Sequence, residues 1–304
     1  MAPSAAPQRT GILVGAWAVL LAVSLLPTVV AQELLGQAVS EDLKAGSSVV
    51  VIVVGLLVTV AWAPSRALRP FLLLLLVLIG AQWIVLTQID RLPIFATWLR
   101  DPSFAVYMPA EVLLKLFVTL TVVAALLVGK RDRGAFYLAK GDLSAPAVPV
   151  AWLNIKPGDR WNEVGRNLAV IISLGTLAFL LISGRPSLDV AGRVIPFLPA
   201  IILAAALNAF NEEVTYKASL LSVLVGPVGE RQALRMVAAY FGLAHFYGVP
   251  YGVVGVALAW FLGWILARSM LETRGLTWAW FIHFVQDVLI FGFLAIGAIT
   301  PGGG

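Results

Sequence analysis

Six ionisable side chains lie within apolar stretches of the C-terminal half of the sequence. A charged group at membrane depth is costly and generally marks a transport pathway or a reaction site. Two of the six are the only histidines among the 304 residues. Glutamate, aspartate and histidine accept and deliver protons near neutral pH, so this combination suits the activation of water by general acid–base chemistry. The six residues are Glu212, Glu213, Lys217, His245, His283 and Asp287.

The spacing of these residues predicts which of them share a helix face. His283 and Asp287 stand four positions apart, as do Glu213 and Lys217, and residues at this spacing lie on one side of a helix. Glu212 is turned by about 100° from Glu213. One glutamate can therefore face a reacting centre while the other pairs with Lys217, and the spacing alone leaves open which is which.

Two kinds of site fit this residue set. A glutamate, two histidines and an aspartate in a dry cavity provide a base, a proton shuttle and groups that stabilise an oxyanion. The same four residues, Glu212, His245, His283 and Asp287, also form a plausible zinc ligand set, which makes zinc a candidate cofactor. The sequence has no cysteine, which excludes thiol nucleophiles and cysteine-ligated zinc. Either kind of site would activate water without a covalent nucleophile.

Three short motifs carry these residues, at positions 211–217 (NEEVTYK), 241–245 (FGLAH) and 283–287 (HFVQD). They resemble the EExxxR, FxxxH and HxxxN/D motifs of the CPBP family, in the same order. That family includes the type II CAAX prenyl proteases and bacterial bacteriocin-immunity or bacteriocin-processing proteins. The resemblance covers about Asn162 to Ile299, and its first motif ends in Lys217 where the family has arginine.

The resemblance implies an intramembrane endopeptidase that cuts a membrane-embedded or lipid-anchored protein or peptide. CAAX-type C-terminal processing is the best-known activity of the family. By this resemblance Glu212 is the water-activating base and His245 its partner. His283 and Asp287 occupy the oxyanion or metal-facing positions, and Glu213 with Lys217 orients the first helix.

Two other functions are compatible with the same residues. Chains of intramembrane glutamate, histidine and aspartate also serve as proton relays, which would make the protein a proton-coupled transporter. No internal repeat of the kind common in transporters is evident in the sequence. A family member without catalysis, acting as a membrane scaffold or immunity protein, is the other alternative, and Lys217 in place of arginine is the feature that favours it.

The composition predicts the elements that hold these residues. Hydrophobic residues make up 60% of the sequence and charged residues 12%, with a mean hydropathy of +0.94, which is typical of a polytopic, all-α transmembrane helical bundle. Each span needs roughly 20 apolar residues. About eight to nine spans are predicted from the apolar stretches Ile12–Ala31, Ala45–Pro64, Phe71–Ile89, Ser103–Gly129, Asn167–Gly184, Val194–Gly226, Met236–Ala267 and Leu276–Ile299.

Three details of these stretches bear on the site. The stretch after Val194 could be one long tilted helix or a broken one. Met236–Ala267 is interrupted by a Gly-Val-Pro-Tyr-Gly segment at 248–252, which predicts two short helices or a re-entrant pair. Glu111 and Lys115 lie four residues apart inside another span, where they can neutralise each other.

The distribution of lysine and arginine predicts a cytoplasmic N-terminus, because most of these residues then fall on the inner side. The same rule explains the net charge of +5 without nucleic acid as a partner. We predict an N-terminal transmembrane scaffold of about four spans at 1–129, a cytoplasmic basic loop at 130–161 and a CPBP-like peptidase domain at 162–299. The predicted location is the plasma membrane of a prokaryotic cell, where the protein is multi-pass.

Overall fold

The structure of the protein is a computed structural model that describes residues 5–187 and 192–299, with side chains from Thr10 to Ala298. Helices dominate these residues, which form no β-strand beyond two isolated bridges. The prediction of an all-α, polytopic bundle is confirmed. The helices are α1 (Ala5–Val23), α2 (Leu26–Val29), α3 (Glu41–Ala61), α4 (Arg69–Ile84), α5 (Pro93–Leu99), α6 (Phe104–Val128), α7 (Trp161–Gly184), α8 (Leu198–Glu212), α9 (Ser219–Val228), α10 (Glu230–Ala244), α11 (Val253–Thr273) and α12 (Thr277–Ile299).

Seven helical segments in the described part of the chain are long and apolar enough to cross a bilayer. The number becomes eight if the bent pair Thr10–Val23 and Leu26–Leu34 counts as one span. The lower end of the predicted eight to nine spans agrees with this count. Large aliphatic side chains such as Val50, Leu57 and Ile171 are exposed on the outer faces of the helices, as expected where lipid is the solvent. The direction in which the chain crosses the membrane stays a prediction.

One continuous helical segment, Ile195–Val228, carries the first motif. This answers the question left open by the sequence, since the segment is long and unbroken. Directly after Glu212 it changes from α-helix to a π-helical turn, Glu213–Ala218, before α9 begins. Single π-turns within α-helices are rare and occur frequently at functional sites. Here the wider turn carries Glu213 and Lys217 immediately beside Glu212.

The second motif lies at the tip of a helical hairpin formed by α10 and α11. Helix α10 ends at Ala244 and α11 begins at Val253, so the predicted interruption is confirmed. The two helices approach closely at Gly242, where a Cβ atom would come within 2.8 Å of both Trp260 Cβ and Val256 O. This close packing fixes the end of α10, and with it His245, against α11.

Helices α6, α8 and α12 share a small apolar cluster. Ala204 and Ala205 of α8 are fully buried in it, and small residues at such positions allow membrane helices to come close together. Helix α6 contributes Met108 and Val112 to the cluster, and α12 contributes Phe291. The cluster therefore brings the N-terminal helix α6 to the same place as the helices that carry the first and third motifs.

The basic loop at 130–161 is folded onto the turn between α11 and α12. Asp142 N donates to Thr273 O at 2.8 Å, and Leu276 N donates to Ala139 O at 2.9 Å. The indole of Trp161 donates to Glu272 Oε2 at 2.8 Å. The loop thus braces the start of α12, the helix on which His283 and Asp287 lie.

We expect Gly141→Ala to weaken this bracing. Gly141 has φ +73°, and a Cβ atom there would lie 2.6 Å from Thr273 O, which is backbone and cannot swing away. Crowding of this kind costs about 1–3 kcal/mol, so the midpoint of thermal unfolding in detergent should fall. Gly80→Ala is the matched control, since nothing lies within 4 Å of its Cβ position in α4. Equal unfolding midpoints for the two variants would contradict the prediction.

Candidate active site

The four residues predicted to be catalytic lie in one cluster, although they come from three helical segments. Glu212 ends α8, His245 follows α10, and His283 and Asp287 lie on α12. The Oε2 atom of Glu212 is 3.9 Å from His245 Nε2 and 3.6 Å from His283 Nε2. The Nε2 atom of His283 is 3.5 Å from Asp287 Oδ1. Two carboxylates and two imidazoles therefore surround one small region.

Behind this cluster, Glu213 and Lys217 form a fully buried ion pair. Lys217 Nζ lies 2.7 Å from Glu213 Oε1, and both side chains are 0% exposed. The same ammonium group lies 3.2 Å from the centre of the Phe241 ring, a cation–π contact. Glu213 Oε1 also lies 2.7 Å from His283 Nδ1. The question that spacing left open is thereby answered: Glu213 pairs with Lys217, and Glu212 faces the histidines.

Hydrogen bonds determine which nitrogen of each imidazole ring carries a proton and which nitrogen faces Glu212. The Nδ1 atom of His245 is 2.8 Å from Phe241 O, and a carbonyl oxygen can only accept, so Nδ1 carries a proton. The Nδ1 atom of His283 likewise donates to the Glu213 carboxylate, which already accepts from Lys217. Both rings therefore turn Nε2 towards Glu212, where each Nε2 accepts when its ring is neutral and donates when it is protonated.

Asn208 is a member of the cluster that the sequence reasoning missed. Its Nδ2 donates to Glu212 Oε1 at 3.2 Å and to Asp287 Oδ2 at 3.0 Å, and the residue is 4% exposed. Asn208 stands four residues before Glu212, hence on the same face of α8. The available signal in the sequence was an amide side chain four positions before Glu212 in an apolar stretch. It was missed because only ionisable residues were considered.

Lys115 also reaches the cluster, from α6. Its Nζ is 3.6 Å from Glu111 Oε1, so the predicted pair is present. The same atom donates to Asn208 Oδ1 at 3.0 Å and lies 3.8 Å from Glu212 Oε1. The helix assigned to the N-terminal scaffold thus contributes a cation at the carboxylate that the family resemblance makes the base.

The side of the cluster formed by His245 is accessible. The side chain of His245 is 36% exposed, compared with 13% for Glu212 and 5% for His283. Next to it, the hairpin tip carries Tyr247, whose hydroxyl donates to Gln32 Oε1 at 2.7 Å. A cavity of about 240 Å³ has Tyr216 and Ala244 in its wall, and none of the four residues predicted to be catalytic lines it. Lys115, on the other side of Glu212, has a side chain that is 41% exposed.

The cluster does not form a metal-ligand group. Within the described ranges no three histidine, aspartate or glutamate side chains are arranged to hold a metal ion. The zinc ligand set predicted as an alternative is therefore not supported by the placement of its four residues.

A comparison with protein-family models gives one match, to the family described as type II CAAX prenyl endopeptidase Rce1-like, over residues 194–289. The matched residues include all six of the ionisable residues singled out in the sequence. Comparisons with curated proteins and with solved structures find no significant match. The match agrees with the resemblance to the CPBP family, and it covers α8, α9, α10, α11 and most of α12. Residues 194–289 of this membrane protein therefore match the Rce1-like protease family.

Proposed function

We propose that the protein hydrolyses a peptide bond near the C-terminus of a lipid-anchored or membrane-embedded polypeptide, with water activated by Glu212 and His245. The observation that carries the proposal is the position of Glu212 Oε2. This atom is buried, has no hydrogen-bond partner in the described part of the chain, and faces the Nε2 atoms of His245 and His283. A carboxylate oxygen so placed is free to accept a proton from a substrate water.

In the proposed reaction, the water molecule lies between Glu212 Oε2 and His245 Nε2. The separation of 3.9 Å between these atoms is too long for a direct hydrogen bond, and one water molecule bridges such a gap readily. Glu212 takes a proton from the water molecule while the oxygen of that water attacks the carbonyl carbon of the peptide bond. The neutral imidazole of His245 accepts the second hydrogen bond of the water and orients its lone pair. Proton transfer by a positioned side chain typically accelerates such steps by about 10²- to 10⁴-fold.

His283 and Asp287 would stabilise the oxyanion that forms. A proton on His283 Nε2 makes that atom a donor to the negative oxygen. Carboxylates lie near both ring nitrogens, Glu213 at Nδ1 and Asp287 at Nε2, so the protonated ring is flanked by negative charge. Asp287 cannot itself donate a hydrogen bond when ionised. It then acts by orienting the His283 ring and by stabilising the protonated form of that ring. When the tetrahedral intermediate collapses, the proton held by Glu212 passes to the departing amine.

The substrate class follows from the family match and from the membrane setting. The matched family is described as a prenyl endopeptidase for CAAX sequences. A substrate held at the bilayer by a lipid group would present its C-terminal segment to a site on membrane helices. We therefore propose a prenylated or otherwise lipid-anchored C-terminal segment as substrate, and a prokaryotic plasma membrane as the location.

The test is a cleavage assay with the purified full-length protein in liposomes. Farnesylated peptides ending in a CAAX sequence, their unprenylated counterparts and a hydrophobic peptide without a CAAX sequence are incubated separately, and the products are identified by mass spectrometry. We expect release of a short C-terminal peptide from the farnesylated substrate. The absence of cleavage in all three peptides would contradict the proposed activity. Uptake of a solute driven by a pH gradient, without any cleavage product, would favour the transporter alternative.

Chelation separates the two mechanisms proposed from the sequence. Because the four residues do not form a metal-ligand group, we expect cleavage to persist after dialysis against a strong chelator, with less than stoichiometric zinc in the active protein. Metal content is measured by elemental mass spectrometry on the sample used for the assay. Stoichiometric zinc that is lost together with activity, and that restores activity when added back, would overturn the glutamate mechanism.

The non-catalytic alternative loses the feature that favoured it. Lys217 forms an ion pair with Glu213 at 2.7 Å, so the lysine performs the pairing that arginine would perform in the family motif. A scaffold would keep its function after substitution of Glu212, whereas a peptidase would lose its activity. Substitution of Glu212 therefore distinguishes the two.

A further inference from the structure

Lys115 is a cation that reaches the candidate active site from outside the Rce1-like domain. It lies on α6, 79 positions before residue 194, where the family match begins. Its ammonium group donates to Asn208 Oδ1 at 3.0 Å and lies 3.8 Å from Glu212 Oε1. In the described part of the chain, no other lysine or arginine nitrogen lies within 4.0 Å of a carboxylate oxygen of Glu212 or Asp287. Lys217, the nearby alternative, is engaged by Glu213.

The amide of Asn208 connects this lysine to both carboxylates of the cluster. Lysine can only donate, so the side of the amide that faces Lys115 must be the carbonyl oxygen. The NH₂ group is thereby directed at Glu212 Oε1 and Asp287 Oδ2, and it donates to both. The amide is thus held at both ends, by Lys115 at its oxygen and by the two carboxylates at its nitrogen, so the cation on α6 is joined to both carboxylates through one side chain.

Contacts on both sides of Lys115 hold α6 against α8 at a fixed position. Asn211 Nδ2 donates to Val112 O at 3.0 Å, less than one helical turn before Lys115. Thr119 Oγ1, one turn after it, donates to Asn211 Oδ1 at 3.0 Å. Val112 and Thr119 are both 0% exposed. The backbone that carries Lys115 is therefore held against α8, and the Lys115 side chain, which is 41% exposed, extends from it to Asn208.

We propose that Lys115 is a positioning residue of the hydrolytic site, which holds Asn208 and offsets the charge of Glu212 so that the Glu212 carboxylate faces the substrate water. This inference rests on the proposed peptidase function. It means that residues 194–289 do not contain the complete site, since the N-terminal helices supply the cation. A misplacement of catalytic groups by about 1 Å can cost about 100-fold in rate, which sets the size of the expected effect.

The experiment compares four variants of the full-length protein in liposomes, with kcat, KM and thermal unfolding measured for each. Lys115→Met removes the charge at similar length and should lower kcat by about 10- to 100-fold with little change in KM. Lys115→Arg keeps a cation and should recover most of that loss. Glu111→Gln removes the other carboxylate that faces Lys115, and should leave kcat close to that of the unmodified protein. Asn208→Ala should resemble Lys115→Met.

The double variant of Lys115 and Asn208 tests whether the effects of the two substitutions on kcat are additive. Independent structural roles would give additive effects. Residues that act through one contact show non-additive effects, so Lys115→Met should reduce kcat little further when Asn208→Ala is already present. Equal loss of kcat in Lys115→Met and Glu111→Gln, or full additivity of Lys115→Met with Asn208→Ala, would overturn the inference.

Thermal unfolding separates failure of this inference from failure of the proposed function. The effects of Lys115→Met and Glu212→Gln on the unfolding midpoint should be non-additive whether or not a substrate is known, because the two side chains lie within 4 Å of each other. Absence of cleavage by the unmodified protein would count against the peptidase alone. Additive shifts of the midpoint would count against the role of Lys115.

Discussion

Glu212→Gln is expected to reduce peptide hydrolysis by about 10²- to 10⁴-fold, the usual contribution of a general base. Glutamine has nearly the volume of glutamate, and its carbonyl oxygen can still accept the hydrogen bond that Asn208 donates to Oε1. The substitution therefore removes the proton acceptor at Oε2, together with the negative charge that lies beside Lys115. Initial rates of cleavage, divided by the concentration of folded protein, measure the effect.

Two comparisons make this prediction decisive. Glu163→Gln changes an exposed carboxylate in the first turn of α7 and should leave the rate unchanged. Thermal unfolding of Glu212→Gln should occur close to that of the unmodified protein, which shows that the lost activity does not reflect unfolding. Cleavage by Glu212→Gln at a rate within a fewfold of the unmodified protein would eliminate Glu212 as the base and return the scaffold alternative to consideration.

Lys217→Met should lower the free energy of unfolding by about 3–5 kcal/mol, the cost of leaving one member of a buried ion pair without its partner. Glu213 and Lys217 are both 0% exposed, so no solvent can take the place of the missing ammonium group. The substitution also removes the cation over the Phe241 ring. Unfolding followed by circular dichroism in a titration from mild detergent into dodecyl sulfate measures the loss.

The double variant Glu213→Gln with Lys217→Met tests the reason for that loss. Replacement of both members of a buried ion pair by neutral residues is often close to neutral for stability, so most of the stability should return. Activity should not return, because His283 Nδ1 loses the carboxylate that it contacts at 2.7 Å. If Lys217→Met alone unfolds at the same detergent fraction as the unmodified protein, the ion pair does not stabilise the fold.

Relations between residues on one helix were predictable from the sequence, because helical periodicity determines them. The common face of Glu213 and Lys217 and that of His283 and Asp287 are examples, and the structure has both. Which of the two glutamates pairs with Lys217 was not predictable from the spacing. The break between α10 and α11 was also predictable, since glycine and proline interrupt the apolar stretch there. Apolar composition likewise indicated a helical membrane bundle.

Relations between distant residues required the structure. The contact of Lys115 with Asn208 joins positions 93 residues apart, and the periodicity of α6 gives only its partners on the same helix, such as Glu111. The π-turn after Glu212 has no counterpart in the spacing of apolar residues, which left open only whether the stretch after Val194 is one tilted helix or a broken one. The docking of the basic loop depends on backbone hydrogen bonds to Thr273 and Leu276, which side-chain patterns do not report.

The ion pair within the π-turn bears on how this chain enters the bilayer during synthesis. Each charged residue at the centre of a membrane helix opposes insertion by about 2.5–3.5 kcal/mol. Lys217 and Glu213 are on the same segment, so they can neutralise each other before that segment meets any other helix. Glu212 depends instead on α6, which is translated earlier and can already be in the membrane. The order of the helices along the chain thus places a counter-charge in the bilayer ahead of the carboxylate that needs it.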